Sequence, residues 1–224
     1  MQTTLAFDVY GTLIDTNGVV AALQKLVHDD AEKFSQTWRD KQLEYSFRRG
    51  LMQNYENFAV CTSQALAYTC AFHKVSLTDR QKAELMDIYR VLPAFSDVKT
   101  GLARLKTAGF RLYAFSNGKA DALEMLLNNA GIRDLFLGVV SVDDIKTFKP
   151  SPATYGHFLQ QSRAVGASAW LVSSNPFDVI GAISAGMKAA WVRRSPEKIF
   201  DPWGIDPTIT VSSLVELADR IKLS

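Results

Sequence analysis

The chain has 224 residues, 47% of them hydrophobic, and only two cysteines. This length and composition suffice for a large buried core and indicate an ordinary soluble globular protein. Its 25 Lys and Arg residues nearly balance its 23 Asp and Glu residues, so the formal net charge of +2 gives no strong field that would favour nucleic acid or an anionic membrane as a partner. We therefore expect chemistry on a small molecule.

The N-terminal segment MQTTLAFDVY lacks the basic region and the apolar core of a signal peptide, and nowhere do eighteen apolar residues run together. Cys61 and Cys70 lie nine positions apart in a segment predicted to be helical. At about 100° per residue they fall on roughly opposite faces, and no CxxC spacing suggests metal or redox chemistry. We predict two buried thiols and a cytoplasmic protein without a membrane span.

Five short apolar runs lack polar alternation and predict fully buried parallel strands. In chain order they are TLAF (4–7), RLYAF (111–115), LGVVSV (137–142), AWLVS (169–173) and AAWV (189–192). The helical segments between them end on a small residue and a glycine, which predicts left-handed C-caps. These glycines are Gly109, Gly131, Gly166 and Gly186. The repeated order predicts an α/β fold with a doubly wound, Rossmann-like parallel sheet.

Residues 16–93 interrupt this order because they are predicted to be almost wholly helical. Two helical stripes of apolar residues support this prediction; they contain Phe34, Trp38 and Tyr45, and Phe58, Ala65 and Phe72. We expect an all-helical cap domain of residues 16–93 inserted after the first strand of a core formed by residues 1–15 and 94–224. Because open α/β sheets bind ligands at the carboxyl ends of their strands, the cap should cover the site.

Polar residues gather where the predicted strands end. They are Asp8, Ser116 with Asn117, Lys149, and the segment SSNPFD (173–178). Each has an ordinary explanation by itself, as a turn residue, a helix cap, a solvated lysine or a favourable charge at the start of a helix. Parallel strands, however, bring these ends to one edge. A carboxylate, a hydroxyl, a cation and a second carboxylate around one crevice favour a catalytic site.

The segments DVYGTL (8–13), SNG (116–118), KP (149–150) and SSNPFD resemble, in order and spacing, the four motifs of the haloacid dehalogenase superfamily. The segment WRDKQLEYSFRRGLM (38–52) resembles the L-2-haloacid dehalogenase branch. The similarity extends from residue 4 to about residue 215, and four motifs with a cap segment make it specific. It implies a hydrolase that converts L-2-haloalkanoic acids to D-2-hydroxy acids through an ester on Asp8.

The residue two positions after Asp8 distinguishes two chemistries. Resembling phosphatases carry an acid there to protonate the leaving alkoxide, whereas this chain has Tyr10. A phenol with an ordinary pKa of about 10 is a poor proton donor at neutral pH, but a departing halide needs no proton. The early positions of SSNPFD also lack the acid that helps phosphatases hold Mg²⁺. We expect carbon–halogen cleavage with no metal and no cofactor.

The resemblance implies a role for each catalytic residue. Asp8 attacks the α-carbon as the nucleophile, Lys149 keeps it ionised, and Asp178 with Ser173 and Asn175 positions and deprotonates the hydrolytic water. The other implied catalytic residues are Thr12, which bonds Asp8, and Arg39, Ser116 and Tyr155. From the residues alone, Arg39 would be a solvated cation on a charged helix, and Tyr155 could equally be a packing residue.

The implied substrate-binding residues fall into three groups. Ser116 and the backbone N–H groups around Val9, Tyr10 and Asn117 bind the carboxylate; Arg39, Asn117 and Phe177 surround the halide; Tyr10, Leu43 and Phe58 wall the side-chain pocket. Phe58 could instead belong to the cap core. One departure from the pattern is Asp40, where glutamine is expected; it could disfavour an anionic substrate or pair with Lys41 in solvent.

The sequence is also compatible with two other functions. One is a Mg²⁺-dependent phosphatase of the same superfamily, and the other is a non-catalytic binding protein that keeps the fold. His28, His73 and His157 have no metal-ligand spacing and are predicted to lie at the surface or in the cap. The resemblance also implies a homodimer, for which the helical segment 55–72 offers an apolar face unless that face packs within the cap. The preferred haloacid is left open.

Overall fold

The structure is a computed structural model that describes residues 2–221, and its centre is a six-stranded parallel sheet. The strands are β1 (Thr4–Phe7), β2 (Arg111–Ser116), β3 (Gly138–Ser141), β4 (Ala169–Ser173), β5 (Lys188–Val192) and β6 (Ile209–Val211). Their order is β3-β2-β1-β4-β5-β6. From β1 the chain proceeds to one edge and then, from β4, to the other. This confirms the predicted doubly wound α/β fold, whose switch point lies between β1 and β4.

Nine α-helices accompany the sheet in the described part of the chain. They are α1 (Gly18–Val27), α2 (Ala31–Leu51), α3 (Phe58–Phe72), α4 (Asp79–Ile88), α5 (Val98–Thr107), α6 (Ala120–Asn129), α7 (Pro152–Ser162), α8 (Pro176–Ser184) and α9 (Leu214–Arg220). The first four separate β1 from α5 and correspond to the predicted helical insertion, whose domain boundaries remain a prediction. None of the described helices is long and apolar enough to cross a membrane.

Three sequence predictions are wrong in detail. Strand β6 was not predicted because its three residues include an exposed threonine and give no apolar run. Gly166 is not a left-handed cap: helix α7 ends on Arg163, which has a φ of 52°. Gly109, Gly131 and Gly186 have positive φ angles as predicted. His157, predicted to lie at the surface or in the cap, is buried in α7, with Nε2 3.6 Å from Asp144 Oδ2.

The two predicted stripes of the insertion are mostly buried. Phe34 and Trp38 are buried in α2, and the Trp38 indole donates a hydrogen bond of 2.8 Å to the Thr62 carbonyl of α3. Phe72, on the second stripe, is 62% exposed and therefore does not pack within the cap. Buried positions on α3 recur every three or four residues and end at Cys70. Phe72 continues this stripe by its spacing, but it is the last residue of α3 and stacks on Tyr68, with ring centroids 6.0 Å apart.

Both cysteines are buried and free, as predicted. Cys61 belongs to the apolar cluster that contains Phe115 and Phe148, whereas Cys70 belongs to a second cluster that contains Phe34 and Trp38. Their membership of two different clusters agrees with the prediction that they occupy opposite faces of one helix. Helix α3 therefore contributes to packing on both of its sides.

The two ends of the helical insertion run side by side. The Asp15 N–H donates to the Pro93 carbonyl at 2.8 Å, and the Phe95 N–H donates to the Leu13 carbonyl at 3.0 Å. Ile14 and Ala94 form an antiparallel bridge between these bonds. The chain thus leaves the core and returns to it at the same place, seven residues after Asp8.

A second contact links the core to the segment between α2 and α3 of the insertion. Tyr55 follows α2 and donates a hydrogen bond of 2.5 Å to Asp143, in the 3-10 turn Val142–Ile145. The Tyr55 ring also stacks on Phe148, with centroids 5.0 Å apart. Partial burial would raise the pKa of Asp143, but hydrogen bonds from Tyr55 and Lys146 outweigh it and lower that pKa. The contact combines apolar packing with a charge-assisted hydrogen bond.

We predict that Gly101→Ala destabilises the protein by about 1–3 kcal/mol. A methyl group at Gly101 would lie 2.5 Å from Leu214 Cβ and 2.6 Å from its carbonyl carbon, so α5 and α9 would have to separate. The matched control is Gly156→Ala in α7, where the added methyl meets nothing within 4 Å and the helix gains up to about 1 kcal/mol. Urea unfolding measures both; equal free energies of unfolding would contradict the prediction.

Candidate active site

Two strand ends at the switch point supply the centre of the site. Asp8 follows β1 directly, and its N–H donates to the Val172 carbonyl of β4 at 3.0 Å. Ser173 is the last residue of β4, and Ser116 is the last residue of β2. All three are buried. The strand ends therefore meet as the sequence predicts, and the two halves of the sheet bring separate motifs together.

The two oxygens of the Asp8 carboxylate have different surroundings. Oδ2 accepts three hydrogen bonds, from Thr12 Oγ1 at 2.8 Å, Asn175 Nδ2 at 2.7 Å and Ser173 Oγ at 3.2 Å. Among the described residues, the one group that bonds Oδ1 is the Lys149 ammonium, at 3.3 Å. Because a carboxylate oxygen has about two lone-pair directions, Oδ2 is saturated while Oδ1 keeps a lone pair. Oδ1 is thus the better placed oxygen for attack on an incoming carbon.

Lys149 lies eight residues after β3 and is only 2% exposed, so it is not a solvated lysine. Its Nζ donates to Asp178 Oδ2 at 2.9 Å and to the Phe115 carbonyl at 2.9 Å, besides facing Asp8. An ammonium has three protons, and these three acceptors use all of them. The Nζ also lies 4.1 Å from the Phe115 ring centroid. One buried cation thus serves two buried carboxylates.

Asp178, in the first turn of α8, is fully buried. Its Oδ1 accepts a hydrogen bond of 2.8 Å from the Tyr155 hydroxyl. Burial raises the pKa of Asp178 and the nearby Asp8 charge adds to this rise, although Lys149 and Tyr155 oppose it. Burial also raises the pKa of Tyr155 well above its ordinary value. Tyr155 therefore acts as a hydrogen-bond donor, which is more than the packing role that the sequence alone left open.

Two small residues that sequence analysis did not select shape this arrangement. Gly181 faces Tyr155: an added methyl group would clash with the tyrosine hydroxyl and lie 2.8 Å from Pro150 Cβ. Ser174 donates its backbone N–H to Thr12 Oγ1 at 2.8 Å and its hydroxyl to the Gly11 carbonyl at 2.5 Å. Ser174 thereby orients the threonine that binds Asp8. The feature of the sequence that could have identified Ser174 is its position within the SSNPFD segment.

The predicted carboxylate donors lie at or just after the ends of the neighbouring strands β1 and β2. Ser116 Oγ accepts the Gly118 N–H at 3.2 Å, and Asn117 Oδ1 accepts the Lys149 backbone N–H at 3.0 Å. Within residues 2–221, no protein acceptor bonds the N–H of Val9 or of Tyr10. These two backbone donors are available to an anion beside the nucleophile.

The predicted cap residues approach the site only in part. Arg39 is half-buried, and its Nη1 donates to Gln42 Oε1 at 2.8 Å; the described residues include no hydrogen bond or ion pair between Arg39 and Asp8. Burial raises the pKa of Tyr10, and the Arg39 charge weakly opposes this. Gln42, the bonding partner of Arg39, lines the same cavity as Tyr10. A raised pKa makes Tyr10 an even poorer proton donor.

Aromatic contacts position the other predicted pocket residues. Tyr10 and Phe58 lie with ring centroids 6.3 Å apart, and Phe177 meets Phe47 of α2 edge to face at 5.0 Å. Leu43 is half-buried on the same helix. Phe58 is a buried residue of the cap and also a neighbour of Tyr10. It can therefore belong to the cap core and line the side-chain pocket at the same time.

Asp40 does not pair with Lys41. It is exposed and accepts a hydrogen bond of 2.8 Å from Gln36, whereas Lys41 pairs with Glu44 at 2.6 Å. The buried amide of this segment is Gln42, which was not predicted; it binds Thr62 at 2.6 Å as well as Arg39. Gln42 therefore holds the arginine against α3.

The carboxylates of the site do not form a typical magnesium centre. Over the described range, no group of three or more His, Cys, Asp or Glu side chains could hold a metal ion. Asp8 and Asp178 share the Lys149 ammonium, which lies where a cation would balance their charge. Mg²⁺ favours several carboxylate or phosphate oxygens. The carboxylates of Asp8 and Asp178 are therefore better suited to pairing with Lys149 than to binding a metal ion.

We predict that Lys149→Met lowers the free energy of unfolding by about 3–5 kcal/mol at neutral pH, because two buried carboxylates lose their counter-ion. Without the ammonium the pKa of Asp178, already raised by burial, rises further. A raised native pKa makes the charged form costly at high pH, so the deficit shrinks as the pH falls. Urea unfolding at about pH 7.5 and about pH 5 should show this; the exposed Lys99→Met is the control. A deficit independent of pH would contradict the explanation.

Comparison with known proteins gives consistent matches. A family model for haloacid dehalogenase-like hydrolases matches residues 3–186, which include every site residue above. The (S)-2-haloacid dehalogenase of Pseudomonas sp. strain YL is 36% identical over 211 residues, which are 94% of this chain and 90% of that enzyme. Haloacetate dehalogenase H-2 of Moraxella sp. strain B is 36% identical, over 92% of each chain. The structure of L-2-haloacid dehalogenase from Xanthobacter autotrophicus with chloropropionic acid covalently bound has a TM-score of 0.91 and 32% identity over 98% of both chains.

Proposed function

The chain belongs to the haloacid dehalogenase-like hydrolases, and we propose that it hydrolyses L-2-haloalkanoic acids to D-2-hydroxy acids without a metal. The observation that carries this proposal is the unequal surroundings of the two Asp8 oxygens. Three donors hold Oδ2, whereas Oδ1 faces one ammonium and keeps a free lone pair. This arrangement suits a carboxylate that acts as nucleophile and then as the acyl part of an ester.

In the first step Asp8 Oδ1 attacks the halogen-bearing carbon from the side opposite the halogen. An oxygen–carbon bond forms, the carbon–halogen bond breaks with its electron pair, and a halide departs with inversion at carbon. Ser116 and the free N–H groups of Val9 and Tyr10 hold the substrate carboxylate. The halide leaves without a proton, so the weak acidity of Tyr10 is no obstacle.

In the second step water attacks the ester carbonyl carbon of Asp8. Asp178 accepts a proton from that water, and its raised pKa makes it a stronger base than an ordinary carboxylate. Negative charge develops on Oδ2, where Thr12, Ser173 and Asn175 donate hydrogen bonds and form an oxyanion hole. The ester carbon–oxygen bond then breaks with its electron pair on the oxygen that came from Asp8, and this alkoxide takes the proton held by Asp178 to give the hydroxy acid. Asp8 returns to its carboxylate form by releasing the second proton of the water to solvent.

The first test compares halide and phosphate release. We expect chloride release from L-2-chloropropionate in EDTA, and a loss of at least about 10³-fold in Asp8→Asn because the amide is a poor nucleophile. Asp15→Asn is the matched control; within residues 2–221 the Asp15 side chain bonds the nearby Asn17 N–H and no other group. A single turnover in H₂¹⁸O should place label in Asp8. Mg²⁺-dependent phosphate release without halide release would instead support the phosphatase alternative.

The pH dependence tests the water base. The Tyr155 hydroxyl bonds the charged form of Asp178 and so lowers its pKa. We predict that Tyr155→Phe raises that pKa and moves the acidic limb of kcat/KM to higher pH by about one pH unit. Tyr68→Phe, far from Asp178 in the exposed part of α3, should leave the limb in place. An unchanged limb in Tyr155→Phe would remove Asp178 from the role of base.

We also propose that the protein is a homodimer. Several large apolar side chains at the end of α2 and on α3 are exposed, namely Leu51, Met52 and Phe72. Such side chains, left in solvent, favour association of protein surfaces. Light scattering should give twice the chain mass, and Leu51→Glu should shift it toward the monomer. A monomer at all concentrations would contradict this proposal.

A further inference from the structure

A cavity of about 320 Å³ lies between the helical insertion and the core, beyond the predicted substrate pocket. Its size is at the lower end of the roughly 300–1,000 Å³ of small-molecule sites. It begins at Tyr10 and Phe58, the two aromatic residues proposed to wall the side-chain pocket, and at Gly118, two residues after Ser116. It therefore adjoins the place where the substrate carboxylate and α-carbon would lie. The proposed reaction uses none of its outer part.

The inner walls of this cavity are apolar or internally satisfied. Phe58 is buried, and Met86, Tyr89 and Ala122 are half-buried around the space. The two buried polar residues of the wall bond protein groups: Gln42 binds Arg39 and Thr62, and the Thr62 hydroxyl donates to the Phe58 carbonyl at 2.8 Å. Such a wall gives an apolar ligand contact while Gln42 and Thr62 keep their partners within the protein.

The mouth of the cavity is charged but balanced. Four exposed residues surround it, and they are Asp87, Arg90, Lys119 and Asp121. Arg90 pairs with Asp87 at 3.1 Å. Two cations and two anions give no net attraction for a second carboxylate. A chain that leaves the α-carbon would thus pass an apolar section and then reach solvent.

We propose that this cavity is a binding site for the alkyl chain of medium-chain 2-haloalkanoic acids and that Ala122 and Met86 determine how long a chain is accepted. This deepens the proposed dehalogenase function and rests on it. The chain runs from Tyr10 between α4 and α6 toward the charged mouth. Because the mouth is polar but carries no net charge, it favours neither a charged group at the end of the alkyl chain nor an apolar chain long enough to reach it.

The test compares L-2-bromooctanoate with L-2-bromopropionate. We expect Ala122→Phe, which fills the cavity from α6, to lower the ratio of kcat/KM for the long substrate to that for the short one by at least about tenfold. Met86→Ala should raise this ratio. The matched control is Met125→Phe, on the exposed side of the same helix, which should not change it. An unchanged ratio in Ala122→Phe, or a wild-type enzyme that rejects the long substrate, would overturn the proposal.

A binding measurement tests the alkyl site independently of the dehalogenation reaction. Calorimetry with octanoate and propionate needs no halogen chemistry, and octanoate should bind the wild-type protein more tightly but lose that advantage in Ala122→Phe. If this occurs while no halide is released from any 2-haloacid, the dehalogenase function is wrong and the alkyl site stands. If octanoate and propionate bind equally, the alkyl site is wrong. Preference for 2-bromosuberate, a dicarboxylate of the same length, would also overturn it.

Discussion

The ammonium of Lys149 between two buried carboxylates is the interaction on which the site depends. Burying one carboxylate without a partner is expensive, and burying two close together is more so. Three segments remote in sequence must therefore converge on one point: the turn after β1 with Asp8, the loop after β3 with Lys149, and the start of α8 with Asp178. The parallel sheet makes this convergence possible because its strand ends share an edge.

The segment that carries this lysine also contacts the helical insertion. Phe148, its neighbour in sequence, is packed by Tyr55 and Phe58 from the insertion. Tyr55 also bonds Asp143, six residues before Lys149. The insertion therefore does more than cover the crevice, since its position affects the segment that carries the buried cation. Chemistry at Asp8 and the shape of the substrate space are supported by the same aromatic contacts.

Much of this arrangement follows from the sequence. Apolar runs located five of six strands, and the polar residues at their ends identified Asp8, Lys149 and Asp178 as partners. Local patterns failed where tertiary context decides. A three-residue edge strand gives no pattern, and Phe72 is exposed at the end of α3 although its spacing continues the buried stripe of that helix. Neither the burial of Gln42 in a charged helix nor the Tyr55–Asp143 bond, between residues 88 positions apart, can be deduced from neighbouring residues.

The adjacent ends of the insertion have a consequence for how this fold can change. Asp15 and Pro93 are hydrogen-bonded and Ile14 pairs with Ala94. The 77 residues between Asp15 and Pro93 are therefore attached to the core at one place, like the loop of a hairpin. Because the entropy cost of loop closure grows by only about 0.6 kcal/mol for each doubling of loop length, this long span costs the core a few kcal/mol more than a hairpin loop would. Helices in that span can be lengthened, repacked or exchanged while the nucleophile stays in register with the sheet. The helices of the insertion can thus change which substrates fit while the reacting residues keep their positions, because the bridge at Ile14 fixes where the chain leaves the core.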